Sequence, residues 1–171
     1  MSRLREEQIA AASAFAEAQL SDASAAAVIA GSARMAGTFL FRSFAHALND
    51  VTPGTVLLSP VANAGGPDLI GLLSGALARL GIRIDAENVD LEANPTSLPT
   101  FLETQRQLEP ACITIRERFG LSNEEAAHAA AVATAMLIKH MEKSLAPQTA
   151  FGIAVYGFIE GSKTAPDPVK R

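Results

Sequence analysis

Apolar residues recur at helical spacing along nearly the whole chain. Ile9, Ala12, Phe15, Ala16 and Leu20 fall three or four apart, which predicts a first helix over residues 2–20. The segment LSDAS interrupts it and supplies cap residues for a second helix, expected from about 23 to 48. In that helix Val28, Met35 and Phe39 line one side, while Ile29, Ala36, Leu40 and Phe44 line another. A helix apolar over so much of its circumference belongs in the centre of a bundle. The segment NDVTPG ends it.

The stretch TVLLSPV, around residues 54–58, reads as a brief strand or an extended loop. Leu69, Leu72, Leu73, Ala76, Leu77 and Leu80 predict a helix over 67–80, with Pro67 at its first position and Gly81 as its stop. A connector follows, with room for one helical turn. From 98 to 119 the pattern is amphipathic through Leu98, Phe101, Leu102, Gln105, Leu108, Cys112, Ile115 and Phe119. Pro110 lies inside it, so a kink or two helices meeting near Glu109 are expected. Ser122 followed by Glu125 forms a capping box that opens a helix to about Leu145. The run AAAVATAMLI in its middle is apolar all round, which predicts a second central helix. The run AFGIAVYGFIEG fits either close helix packing or a β-branched strand, and helix is the preferred reading.

The fold expected is therefore a single all-α domain, a bundle of five or six helices with two long central ones. The alternative is an α+β fold with strands at 54–58 and 151–159. The domain is expected to span 1–164, with a flexible tail over 165–171.

Composition sharpens this picture. The chain has 171 residues, 49% hydrophobic and 19% charged, which is enough apolar content for a real core. Aromatics reach only 5%, and alanine supplies much of the apolar count. The net charge of −4 argues against a nucleic-acid partner, which calls for a basic surface. One cysteine, Cys112, excludes an internal disulfide, a dithiol redox pair and a multi-cysteine zinc site. A buried cysteine on an apolar stripe acts as a small hydrophobe. No span reaches the roughly 20 apolar residues of a membrane helix, so a cytoplasmic location and no membrane contact are expected.

Several near-motifs fall away on their chemistry. SPVANAGGPDLIG could cradle an anion at a helix start. Pro67 removes one donor there and Asp68 repels phosphate, so it reads as a turn entering a helix. GFIEGSKT, residues 157–164, copies P-loop spacing except that Ser162 replaces a glycine. Glu160 places a carboxylate where the phosphates would lie. His128 and His140 stand 12 residues apart, about 120° around an ideal helix, and cannot hold one ion together. Glu125 and His128 give one E-x-x-H, where a di-iron bundle needs two. No cofactor, metal ligand or catalytic constellation is expected.

One constellation survives. Arg34, Thr38, Arg42 and His46 lie four apart and form a single stripe on the otherwise apolar second helix. Arginine cannot shed its charge and is costly to bury alone. Either the stripe is a solvated face, or it lines a cavity and holds a carboxylate or another small anion. Gly31, Ser32, Ala33, Ala36 and Gly37 interleave with it and allow another backbone to come close. The function expected is a non-catalytic module that binds a partner, first of all a second copy of itself. A small-anion binder using the stripe is the alternative, and an enzyme ranks last.

Overall fold

The computed structural model describes residues 4–44, 51–58, 60–89 and 98–169. Six helices appear among them: α1 (Glu6–Gln19), α2 (Ala25–Ser43), α3 (Pro60–Arg79), α4 (Phe101–Arg118), α5 (Asn123–His140) and α6 (Pro147–Lys163). No strand forms among the described residues. The all-α bundle is thus the architecture, and residues 151–159 are helix. An isolated bridge pairs Val56 with Thr164, which ties the segment at 54–58 to the residue that follows α6.

α2 is the axis of the bundle. It packs against all five other helices, most extensively α6 and α5. Every residue from Val28 to Phe41 is buried. α5 is the second central helix, with its alanines from Ala126 to Ala135 packed between α1, α2 and α3. Ser122 and Glu125 cap it as expected: Glu125 N–H donates to Ser122 Oγ at 3.1 Å, and Ser122 N–H donates to Glu125 Oε2 at 2.9 Å. Thr100 and Glu103 form a second such box at the start of α4.

Four elements differ from the sequence reading. The buried face of α1 is Ala11, Ala12 and Phe15 flanked by Gln8 and Gln19, while Ile9 and Leu20 are exposed. The Phe15 ring sets this rotation, lying 5.9 Å from that of Phe39 on α2. α3 starts at Pro60, not Pro67, and carries Gly65, Gly66 and Pro67 inside it. Pro67 forfeits a single ladder bond, while Ala62, a turn and a half earlier, is already buried. The expected turn at the double glycine is therefore helix. α4 runs unbroken through Pro110, whose ring lies on the exposed side and costs the ladder only the bond to the carbonyl of Arg106, an exposed residue one turn earlier.

The fourth difference is the C-terminal segment, read from sequence as a flexible tail. Ala165 and Pro166 are buried. Gly54 N–H donates to Ala165 O at 2.7 Å, and Ala165 N–H donates to Thr55 O at 2.9 Å. Two prolines stop the helix there, but the chain stays in contact with the bundle.

Candidate functional site

The stripe on α2 faces neither solvent nor an empty cavity. Arg34 is buried, Thr38 is fully buried, and the side chain of Arg42 is 11% exposed. His46 lies outside the described residues. The solvated-face reading is overturned because α4 and α6 close over this side of α2.

Each guanidinium is met by a carboxylate of the same chain. Arg34 Nε donates to Glu160 of α6, while its Nη1 donates to Pro99 O at 2.7 Å and to Thr104 Oγ1 at 2.9 Å. Arg42 grips Glu109 of α4 with two donors, Nε to Oε1 at 2.5 Å and Nη2 to Oε2 at 3.1 Å. This fork-on-carboxylate geometry is the strong form of the pair. Gln105, one turn earlier on α4, also donates to Glu109. A buried pair with every group engaged is near balance against its desolvation cost. Removing one member leaves a buried charge, at about 3–5 kcal/mol.

The network extends into the C-terminal segment. Arg42 Nη2 donates to Asp167 O at 2.7 Å. Asp167 N–H donates to Gln105 Oε1 at 2.9 Å, and the Asp167 carboxylate receives Arg106 Nε at 2.5 Å. Arg42 thus clasps Asp167. Two residues before it, Ala165 holds Gly54 and Thr55, and Lys163 holds Leu57, through backbone hydrogen bonds.

Thr38, between the arginines, donates to nothing among the described residues, and its Oγ1 is buried. Its counterpart on the α5 side of α2 is Ser32, whose hydroxyl lies 2.8 Å from Thr134 Oγ1. Thr134 also bonds Ala130 O.

Glu160, the partner of Arg34, is one lining residue of a groove of ≈ 610 Å³ on the outer side of α6. Its apolar walls are Val56, Phe101, Leu102, Tyr156 and Ile159, with Glu160 and Lys163 as its charged groups. Arg34 fixes Glu160 from behind. A hollow of ≈ 700 Å³ lies at the end of α3 and is lined by Ile82, Arg83, Ile84 and Phe151. It is the larger of the two, yet no residue bonded to the stripe lines it, whereas Glu160 of the groove on α6 is held by Arg34. The groove on α6 is therefore the better candidate.

Other sequence candidates stand apart. Glu125 accepts from Arg5 at 2.7 Å as well as capping α5. His128 is half-buried and His140 exposed. Among the described residues no three His, Cys, Asp or Glu side chains gather as metal ligands would. Burial, then the nearby Glu109, pushes the Cys112 thiol up to about 12, so it stays protonated at neutral pH and is a poor nucleophile. Among the described residues no helix is long and apolar enough to cross a membrane.

Sequence reasoning missed Glu109, Glu160 and Asp167. Glu160 lies 126 residues from Arg34 and Glu109 lies 67 from Arg42, separations with no local signal. Glu109 alone left a trace, since it sits one turn after Gln105 and three before Cys112 on the apolar side of α4. No protein-family model matches the chain, and no curated protein or solved structure does either.

Proposed function

We propose that this chain is a helical binding module that acts by self-association, with the groove beside α6 as its working surface. One observation carries this reading. Large apolar side chains are left outside the core around the groove: Val56 is 63% exposed, Tyr156 41% and Ile159 39%. Clustered exposed apolar surface rimmed by polar groups marks a contact site. The small residues of α2, by contrast, are consumed inside the chain against α4 and α6, so they do not form the contact.

In this reading the stripe residues act from behind the surface. Arg34 holds Glu160 at the rim, and Arg42 holds the segment whose neighbours build one wall. Sedimentation velocity at micromolar concentration tests the proposal. A species of about twice the chain mass of 17.8 kDa is expected; a single species of the chain's own mass refutes it. Thermal unfolding against small carboxylates at fixed ionic strength separates the alternative. Specific stabilisation that disappears in Arg34→Gln and Arg42→Gln would turn the reading into an anion site on the stripe.

A further inference from the structure

We infer that Arg42, Gln105 and Arg106 form a recognition site for an extended Pro–Asp–Pro segment, and that residues 166–168 occupy it in cis. The N–H, the carbonyl and the carboxylate of Asp167 are each met by a side chain of α2 or α4. Its N–H donates to Gln105 Oε1 at 2.9 Å, and its carbonyl accepts from Arg42 Nη2 at 2.7 Å. Gln105 Nε2 approaches the same carbonyl at 3.5 Å. The carboxylate accepts from Arg106 Nε at 2.5 Å and from Arg106 Nη2 at 3.3 Å. One amide side chain thus spans the N–H and the carbonyl of a single residue, while a guanidinium takes its side chain. The first reads extended backbone, and the second reads an acid.

The receiving groups are fixed without help from the segment. Gln105 is 3% exposed and also donates to Glu109, which in turn holds Arg42 through two hydrogen bonds. A buried amide or guanidinium is costly with donors or acceptors unmet. The site therefore favours an occupant that supplies an N–H and a carbonyl at this spacing. Arg106 lies at the rim, its side chain 60% exposed, where it selects for charge.

The occupant fits by its own chemistry. Proline has no N–H, fixes its own φ and pushes the residue before it toward extended backbone. Pro166 and Pro168 therefore favour extended backbone at Ala165 and Asp167, whose polar groups no helix ladder takes up. Pro166 is buried and Pro168 is exposed, so recognition centres on Pro166 and Asp167. Attachment through the end of α6 gives the segment a local concentration on the order of millimolar. A partner carrying the same segment has to displace it, which lowers that partner's apparent affinity for the full chain.

Fluorescence anisotropy with a labelled Thr-Ala-Pro-Asp-Pro-Val peptide, on the full chain, tests this together with amide hydrogen exchange. Asp167→Lys sets a cation against Arg106 and should open the site. Exchange of the amide at position 167 should quicken at least about tenfold, the ratio for losing one charge-assisted hydrogen bond. That variant should bind the peptide at least about tenfold more tightly than the wild type, whose site is filled. Arg106→Glu repels the segment as well, and should bind the peptide with lysine in place of aspartate while rejecting the original. Arg106 is exposed, so this second variant leaves the core untouched. Fast exchange at position 167 with neither peptide bound overturns the inference, because an open site then recognises nothing. Exchange unchanged in both variants overturns it too, because the contacts of Asp167 are then not what holds the segment. Equal binding of the two peptides to either variant rejects the reading of an acid by Arg106.

Discussion

Two helix regions use glycine in opposite ways. Where α2 meets α6, glycine makes the contact. A β-carbon at Gly37 would lie 2.7 Å from both Phe158 O and Ser162 N, and one at Gly157 would lie 2.7 Å from Ala33 Cβ. At Gly161 it would collide with Arg34 O. Backbone rests on backbone there, and that proximity lets Arg34 reach Glu160 on the same helix. In α3 only Gly65 lies close to a neighbour, where a β-carbon would meet the Leu40 side chain at 3.0 Å, and the other three glycines do nothing of the kind. Gly66, Gly71 and Gly75 have no heavy atom within 4 Å of where a side chain would begin. α3 is held by a different feature, the buried line Leu69, Leu73 and Leu77. The same residue thus marks the tightest seam of the molecule and one of its loosest surfaces. Neither helix is set by propensity, which glycine lowers in both; each is set by what its faces meet.

The largest effect expected is at the seam. Gly161→Ala puts a methyl group against the Arg34 carbonyl, 2.9 Å from Gly37 Cα and 3.0 Å from Thr38 N. All three are backbone atoms of α2, and no rotamer change relieves the clash. The helices must part, and Arg34 loses its short reach to Glu160. A loss of about 3 kcal/mol is expected, at the upper end for overpacking a filled site. Chemical denaturation measures it. A variant as stable as the wild type would mean that α2 and α6 lie further apart than described.

The two buried threonines sharpen the account of α2 on either side of that seam. Thr134 bonds both Ala130 O and Ser32, so Thr134→Val removes one partner of a buried pair and leaves Ser32 without it. A loss of about 1–2 kcal/mol is expected. Thr38 has a buried hydroxyl with no partner among the described residues. Thr38→Val keeps the shape and removes a group that gains nothing, so stability should hold or rise by up to about 1 kcal/mol. Opposite signs at two chemically identical substitutions are the readout. A loss at Thr38 comparable to that at Thr134 would show that its hydroxyl has found a partner.

These contrasts also explain how much of the molecule could be read from its sequence. Helical periodicity, the Ser122–Glu125 box and the stop at Gly81 are local signals, and the structure repeats them, with Gly120 ending α4 in the same way. At both glycines φ is positive, 80° and 63°, and the residue after each bonds back five positions, Ile82 to Leu77 and Leu121 to Arg116. Gly65, Gly66 and Pro67 are local breakers that suggest a boundary, but burial of Ala62 and Leu69 carries the helix across them. The stripe was legible as four positions on one face. Its partners were not, because an arginine's need for a carboxylate does not say which helix supplies it. The groove was not legible at all. It is built from residues 54–56, the start of α4 and the outer side of α6, three stretches joined only by the fold.

The smallest effect has the opposite sign and completes the comparison. Gly75 lies in α3, and a β-carbon there would meet no heavy atom within 4 Å. Its backbone is helical, a conformation every residue but proline adopts freely. Glycine in that position loses more backbone freedom on folding than alanine does. Gly75→Ala should therefore stabilise the fold by about 0.5–1 kcal/mol, chiefly by narrowing the unfolded ensemble. Gly71→Ala should do the same, for the same reason. The pair lies on one helix four residues apart, and neither new methyl group meets a heavy atom already present, so the gains should add within about 0.5 kcal/mol. Denaturant midpoints of the two single variants and the double variant measure this. A gain at α3 beside a loss at Gly161 would show that glycine is a contact in one region and a cost in the other. A loss at Gly75 would instead mean that this face of α3 is covered in solution, and the first thing to look for would be a second copy lying on it.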